Sequence, residues 1–321
     1  MKTRNLARTE VKVSRIAYGV GMLRTDWRSP DFIARSIQAI HTAYEHGITL
    51  FDTADIYAWG ESEGALGKFL RQSPQLRDKV VIQSKCGFRI RADWTHGDPL
   101  DVDTLFVELD RSRIIAAVEG SLKRLGTDRL DVLLLHGPSS LVEPEEVAQA
   151  FEDLHRSGKV LQFGLCQHTV AQIELLQKWV RQRLVVNQIW LGLARHAPIS
   201  DTGGFGSLVD YCRLHDIQVQ AFSPLKRNDM YERPVLLEPP AGSSPELVRL
   251  VELLRTIARR HDATPAAIML AWLLRHPAGI IPIIGASHPA HIAENSRADE
   301  IELSVAEWES LIRSALRIWP S

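Results

Sequence analysis

Short apolar runs alternate with longer stretches of helical periodicity from one end of the chain to the other. Runs at 13–20, 48–53, 79–85, 130–136, 161–166, 184–189, 217–222 and 280–284 are the strand candidates. Several are almost continuously apolar, as strands covered on both faces of a parallel sheet must be. The segments between them carry helix signals at both ends. Phe32, Ile33, Ile37 and Ile40 follow Ser29-Pro30 and close at Gly47; Ile114, Ala117, Val118, Leu122 and Leu125 stop at Gly126. Pro144 opens another helix that Gly158 ends, Ser244-Pro245 and Thr264-Pro265 open two more, and Ser304 with Glu307 forms a capping box. Proline just inside a helix start and glycine just past its end is the expected asymmetry.

Eight strands alternating with helices read as α/β, either a closed (β/α)8 TIM barrel or a doubly wound open sheet. A dinucleotide-binding open sheet should carry a glycine-rich phosphate turn after its first strand. Gly19-Val20-Gly21 is present, but Arg24 stands where the third glycine belongs and no helix follows directly. The barrel is therefore expected, as a single domain over 1–321, with cofactor and substrate at the C-terminal face of the strands.

That expectation gives meaning to four titratable residues. Asp52 ends the apolar run at Leu50-Phe51, with Tyr57 a few residues beyond; Lys85 ends Val80-Val-Ile-Gln-Ser; His136 ends Asp131-Val-Leu-Leu-Leu. A charged group at the mouth of a buried strand is costly without a partner or a task. Val132, Leu134 and His136 share one face by alternation, so His136 should point with two interior side chains. A tyrosine beside a lysine and a histidine suits the transfer of one proton at a carbonyl oxygen. Asp52 would hold Lys85 charged, and Lys85 would lower the Tyr57 pKa from its ordinary value near 10.

Composition narrows the partners. The 321 residues carry a net charge of −1, which gives no electrostatic case for nucleic acid or an anionic membrane surface. Cys86, Cys166 and Cys212 are odd in number and far apart, as in reduced thiols rather than a disulfide frame or zinc site. The charged first ten residues lack an apolar core, and no apolar stretch approaches the roughly 20 residues that span a bilayer. The histidines lack a convincing ligand spacing, so no metal is expected. The reading is of a cytoplasmic protein with a small-molecule partner, taken as a monomer with a dimer left open.

The motifs in order resemble those of the aldo-keto reductase superfamily. Phe51-Asp-Thr-Ala-Asp-Ile-Tyr57, Glu61-Ser-Glu63 with Leu66-Gly67, Lys85 and His136 match its catalytic half. Gly158-Lys-Val160 leading to Gly164, Val186-Asn-Gln188, Phe222-Ser223-Pro224-Leu225, Ile281-Pro-Ile-Ile284-Gly285 and Glu294-Asn295 match the rest, over roughly 13 to 315. The resemblance implies a barrel that binds a nicotinamide cofactor without a dinucleotide-binding sheet. It implies reduction of an aldehyde or ketone, or oxidation of the alcohol, with Tyr57 as general acid/base, Lys85 and Asp52 tuning it and His136 orienting the carbonyl oxygen.

The same resemblance assigns cofactor contacts to Gly21, Met22, Cys166, Gln167, Gln188, Phe222, Ser223, Pro224, Leu225, Ile284, Gly285, Ala286, His291, Glu294 and Asn295. Phe222 would stack on the nicotinamide face. Cys166-Gln167 stands where the family has Ser-Asn, and cysteine is a weak donor. Gly285 and His291 stand where NADPH-selective members carry Lys and Arg for the 2′-phosphate, with Arg297 a spare cation nearby. NADP(H) is expected from family habit, while the local chemistry permits NAD(H). Trp27, Trp59, Phe88, Trp94 and Trp190 are candidates for an aromatic-lined substrate pocket. Two alternatives remain: a nicotinamide-binding sensor or accessory subunit with little turnover, and an unrelated barrel lyase or isomerase that binds no nicotinamide.

Overall fold

The computed structural model of the protein describes residues 1–20, 29, 31–90, 105–200, 207–227 and 234–320. Gly21, Met22, Trp27 and Trp94 lie outside these described residues. An antiparallel hairpin joins β1 (Thr3–Asn5) to β2 (Lys12–Ser14). The barrel follows with β3 (Ala17–Gly19), β4 (Leu50–Asp52) and β5 (Val81–Cys86). A second antiparallel pair, β6 (Phe88–Ile90) and β7 (Leu105–Val107), interrupts it. It resumes with β8 (Leu130–Leu135), β9 (Val160–Cys166), β10 (Leu184–Trp190), β11 (Gln218–Phe222) and β12 (Ile281–Ile284). The order β3-β4-β5-β8-β9-β10-β11-β12 closes on itself, an eight-stranded parallel barrel with helices between the strands.

One expected strand is divided. The run 13–20 reads as continuous, yet β2 ends at Ser14 and β3 begins at Ala17. The cause is Ser14: its Oγ donates to Ile16 O (2.6 Å) and accepts from the amides of Thr49 (2.9 Å) and Leu50 (3.3 Å). A short polar side chain that bonds nearby backbone competes with the ladder and turns the chain.

The chain gathers into two compact units, Val20–Ile37 with Phe51–Asn187, and Met1–Gly19 with Gln38–Leu50 and Gln188–Ser321. In the first, β5, β8 and β9 pair in parallel, with Lys85 opposite Leu134 and Leu134 opposite Gly164. A Cβ at Gly164 would lie 2.7 Å from Val186 O and 2.8 Å from Leu134, so only glycine allows this approach. The helices α1 (Phe32–Glu45), α3 (Arg111–Leu125) and α4 (Pro144–Arg156) end where the sequence signals them, α3 on the left-handed Gly126, and α2 (Glu61–Gln72) and α5 (Val170–Trp179) complete the set.

In the second unit, β11, β12 and β3 pair in parallel. Short α6 (Ala197–Ser200) and α7 (Leu208–Leu214) precede β11. Ser244 and Thr264 cap α8 (Pro245–Arg260) and α9 (Pro265–Arg275). After α10 (Pro289–Ser296), the expected capping box of Ser304 and Glu307 starts α11 (Val305–Ile318). Trp272, fully buried on α9, stacks on Trp308 of α11 at 5.2 Å, and the Trp308 indole N–H donates to Trp272 O.

Candidate active site

Asp52 is the last residue of β4, Lys85 the penultimate residue of β5, and His136 directly follows β8. The Lys85 ammonium is fully buried and spends its three donors on Asp52 Oδ2 (2.7 Å), Thr53 O (2.9 Å) and Tyr57 Oη (3.1 Å). The other Asp52 oxygen accepts from Gln83 Nε2 at 2.6 Å. Tyr57 Oη lies 3.4 Å from His136 Nε2. The His136 ring is met edge-on by Tyr57 (5.4 Å) and Phe88 (4.8 Å), which fixes its plane. All four residues singled out at the strand ends come together, and a phenol in reach of an ammonium and an imidazole can pass a proton.

Tyr57 opens a 3-10 turn, Tyr57–Gly60, whose last three residues are left-handed: Ala58 (φ 47°), Trp59 (φ 61°) and Gly60 (φ 88°). Two non-glycine residues there cost on the order of 1–3 kcal/mol each, and such strain collects where geometry matters. The turn is braced from behind. A Cβ at Gly60 would meet the Arg124 side chain at 2.6 Å. Arg124 donates to Glu63 Oε2 (2.7 Å), and Glu63 Oε1, on a fully buried side chain, accepts from Ser84 Oγ (2.6 Å). One buried carboxylate thus joins α2, α3 and the strand that carries Lys85.

The electrostatics correct one expectation. Burial disfavours the Lys85 charge, but Asp52 and Tyr57 override it, and the ammonium is raised above its ordinary range. Lys85 was expected to lower Tyr57. It does pull downward, but burial pushes harder and Asp52 adds to it, so the phenol lies above its usual value. Burial also takes the Cys166 thiol up to about 12 and the His168 imidazole down to about 4. Asp55, two residues before Tyr57, is raised to about 7 by burial and by Glu63, with Arg124 opposing.

Of the residues assigned to a cofactor, those from Cys166 to Ala286 fall at or just past the C-terminal ends of β9 to β12. Cys166 ends β9 and is buried; Gln167 follows in a left-handed conformation (φ 60°). His168 is held by Cys166 O through Nδ1 (2.9 Å), and its carbonyl accepts from Asn187 (2.9 Å). Gln188 is buried and donates to Gln220 Oε1 at 3.1 Å. Phe222 faces Trp190 at 5.8 Å, and the Arg195 guanidinium lies 4.3 Å from the Trp190 ring. Trp190 is therefore sandwiched beside Phe222, where it packs a candidate cofactor residue. Ser223 is left-handed (φ 47°), and Pro224 O leaves no room for a Cβ at Gly192. Leu225 continues this turn.

After Ile284 the chain passes Gly285 and Ala286, whose carbonyl accepts from the Tyr18 hydroxyl (3.1 Å), and enters α10. His288 Nδ1 caps that helix, and the exposed His291 ring lies 5.4 Å from it. Glu294 is exposed and Asn295 buried. Arg297 is not spare, since it pairs with Asp262 at 3.5 Å.

Gln83, Gln220, Asp55 and the Glu63–Arg124 pair escaped the sequence reading. Two had a signal. Gln83 alternates with Lys85 on β5 and Gln220 with Phe222 on β11, so each shares a face with a candidate residue. The three cysteines are buried and form no disulfide among the described residues. Among the described residues no helix is long and apolar enough to cross a membrane, and no cluster of metal-ligating side chains occurs.

The fold and this arrangement define an oxidoreductase barrel. Residues 15–315 match the aldo/keto reductase family, so the chain belongs to that family and acts on carbonyl compounds. It is 31% identical over 308 residues to a 6-dehydroglucose reductase of Agrobacterium fabrum, covering 96% of each chain. It is 32% identical over 298 residues to the oxidoreductase YdhF of Escherichia coli, covering 90% of this chain and 91% of the other. A thermostable aldo-keto reductase solved with the inhibitor epalrestat superimposes with a TM-score of 0.78 at 25% identity, over 98% of this chain and all of that one.

Proposed function

We propose that this single-domain protein is an NADP(H)-dependent reductase of aldehydes and ketones, able to run as the alcohol dehydrogenase, with Tyr57 as its general acid/base. The observation that carries the reading is the Lys85 ammonium, which joins Asp52 and Tyr57 in one buried set of hydrogen bonds. A bound nicotinamide supplies or accepts the hydride. Tyr57 gives its proton to the carbonyl oxygen. As it does so, its own oxygen becomes an anion 3.1 Å from Lys85 Nζ, and that charge-assisted hydrogen bond strengthens. Asp52 and Thr53 O keep the ammonium aimed at the phenol. His136, its plane fixed by two rings, orients the carbonyl oxygen beside the phenol. In the oxidising direction the same phenol takes the proton back.

The residues fit a nicotinamide on two observations. Gln188 is a buried amide with its orientation set by Gln220, suited to a carboxamide, and Phe222 is half-buried and offers an aromatic face. Two non-glycine residues are left-handed just past strand ends, Gln167 after β9 and Ser223 after β11, the kind of backbone strain that clusters at functional sites. The backbone of Gly285 and Ala286 ahead of α10 would take phosphate through its amides. NADP(H) comes first by family membership; His291 is the one assigned cation position, so NAD(H) stays the second cofactor to test. The likeness to a 6-dehydroglucose reductase supports small hydroxylated carbonyl compounds as first substrates.

The test is a fluorescence titration with NADPH and NADH side by side, followed by turnover on an aldehyde panel. Saturable binding with turnover is expected. Binding without turnover on any carbonyl would favour a sensor or accessory subunit, and no binding of either nucleotide would remove the reading.

A further inference from the structure

We infer that a cavity beside the Tyr57 turn is a hydroxyl-reading subsite, with Asp55 as its specificity-determining residue for polyhydroxylated carbonyl substrates. The inference rests on the reductase reading and adds what recognises the far end of the substrate. The cavity measures about 460 Å³. Asp55, Trp59 and Phe88 line it together with Arg89, Arg113 and Arg124, over a floor of small α3 residues. Phe88 also meets His136 edge-on at 4.8 Å, and Trp59 belongs to the turn that carries Tyr57. The walls of the cavity are thus parts of the active-site frame.

The unmet group decides the ligand. Asp55 Oδ1 is shut off from bulk solvent and has no hydrogen-bond partner among the described residues, a costly state for a buried carboxyl oxygen. It asks for a donor. The guanidinium groups already have acid partners: Arg124 has Glu63 (2.7 Å), and Arg113 (3.2 Å) and Arg89 (3.8 Å) share Glu108. Each guanidinium carries five N–H groups, so donors remain beyond these pairs. An anion would meet the Asp55 carboxyl, and an ammonium would meet three arginines. A hydroxyl both donates and accepts without charge, so it satisfies Asp55 and an arginine at once. Trp59 and Phe88 offer flat apolar surface for the carbon backbone of such a molecule.

The experiment compares D-erythrose with butanal, its counterpart without hydroxyls, in the wild type, Asp55→Ala, Asp55→Asn and Arg113→Gln. The ratio of kcat/KM for erythrose over butanal should fall about 10- to 100-fold in Asp55→Ala, because the hydrogen bond to a buried carboxyl group is lost. Asp55→Asn, which keeps an acceptor, should recover part of that ratio, and Arg113→Gln should lower it less. Erythritol binding, read by tryptophan fluorescence in the Tyr57→Phe background, should weaken with Asp55→Ala, which separates recognition from turnover. An unchanged ratio in both Asp55 variants, or equal loss on both aldehydes, would overturn the inference and leave the reductase reading intact. Should the wild type reduce neither aldehyde with either nucleotide while erythritol binding still depends on Asp55, the reductase reading falls and the hydroxyl subsite stands.

Discussion

The Lys85 network and the α10 approach contrast sharply. Around Lys85 the charged groups are held by several bonds each: the ammonium to three oxygens, Asp52 also to Gln83, Glu63 to Ser84 and Arg124. Around α10 the side chains that would meet a cofactor phosphate are exposed; His288 spends its ring on a cap and Arg297 pairs with an exposed aspartate. In the first region, geometry is over-determined and charge is held out of water, so one substitution should damage both fold and chemistry. In the second, each interaction is screened and replaceable. A proton-transfer group must be aimed, whereas the choice between two nucleotides can be adjusted by small increments.

The largest effect should come from Lys85→Met. It leaves Asp52 buried with only part of its partnering, a change that costs about 3–5 kcal/mol. Urea denaturation should show that loss, and turnover should collapse as Tyr57 loses its support. A stable, active Lys85→Met protein would break the contrast outright. Tyr57→Phe separates the two consequences. Turnover should fall about 10²- to 10⁴-fold, the usual worth of a positioned acid. Stability should fall by only about 1–3 kcal/mol, since one donor of Lys85 is left unmet. Wild-type kcat in the Phe variant would move the proton-transfer role elsewhere.

A smaller effect is pH-dependent and sits next to the network. His168 is depressed to about 4 from 6.5 by burial. The unfolded chain then takes the proton more readily, so this stability is complete above about 6.5 and drains away as pH falls toward 4. Asp55, raised to about 7 from 3.8, acts in the opposite sense: the folded form holds the proton, and stability grows as pH falls over the same interval. The two slopes oppose each other in the wild type. Asp55→Asn should expose the His168 slope, making stability fall by about 1 kcal/mol more per pH unit than in the wild type between pH 6.5 and 4.5. Parallel wild-type and Asp55→Asn curves in urea melts would show that Asp55 keeps its ordinary pKa.

What the sequence could announce follows the same division. The eight strands were legible because buried parallel strands are apolar runs, and the four strand-end residues because polarity in such a place is conspicuous. The division at Ser14 was not, because a side-chain hydrogen bond to a residue 35 positions away leaves no local pattern. The direction of the Tyr57 shift was missed for a similar reason. The pull of Lys85 can be guessed from neighbours in a motif, but the burial that outweighs it belongs to the assembled barrel. Glu63 reads as one acid in a polar helix start, and only the packing of α2 reveals that Ser84 and Arg124 enclose it.

The smallest effect belongs to His291. It is exposed at the start of α10, beside another imidazole that already caps the helix. An exposed ion pair to a nucleotide phosphate is worth at most about 1 kcal/mol, or roughly fivefold in affinity. His291→Ala should therefore lower the NADPH-to-NADH affinity ratio by no more than about fivefold, with the denaturation midpoint unmoved. His291→Arg should raise the ratio, because a planar guanidinium that is always charged can meet phosphate with two hydrogen bonds. Side-by-side titrations of the three proteins read both changes. If His291→Ala instead cost a hundredfold, or lowered stability by several kcal/mol, α10 would be as tightly determined as the Lys85 network. Nucleotide choice would then be built into the fold instead of resting on its surface.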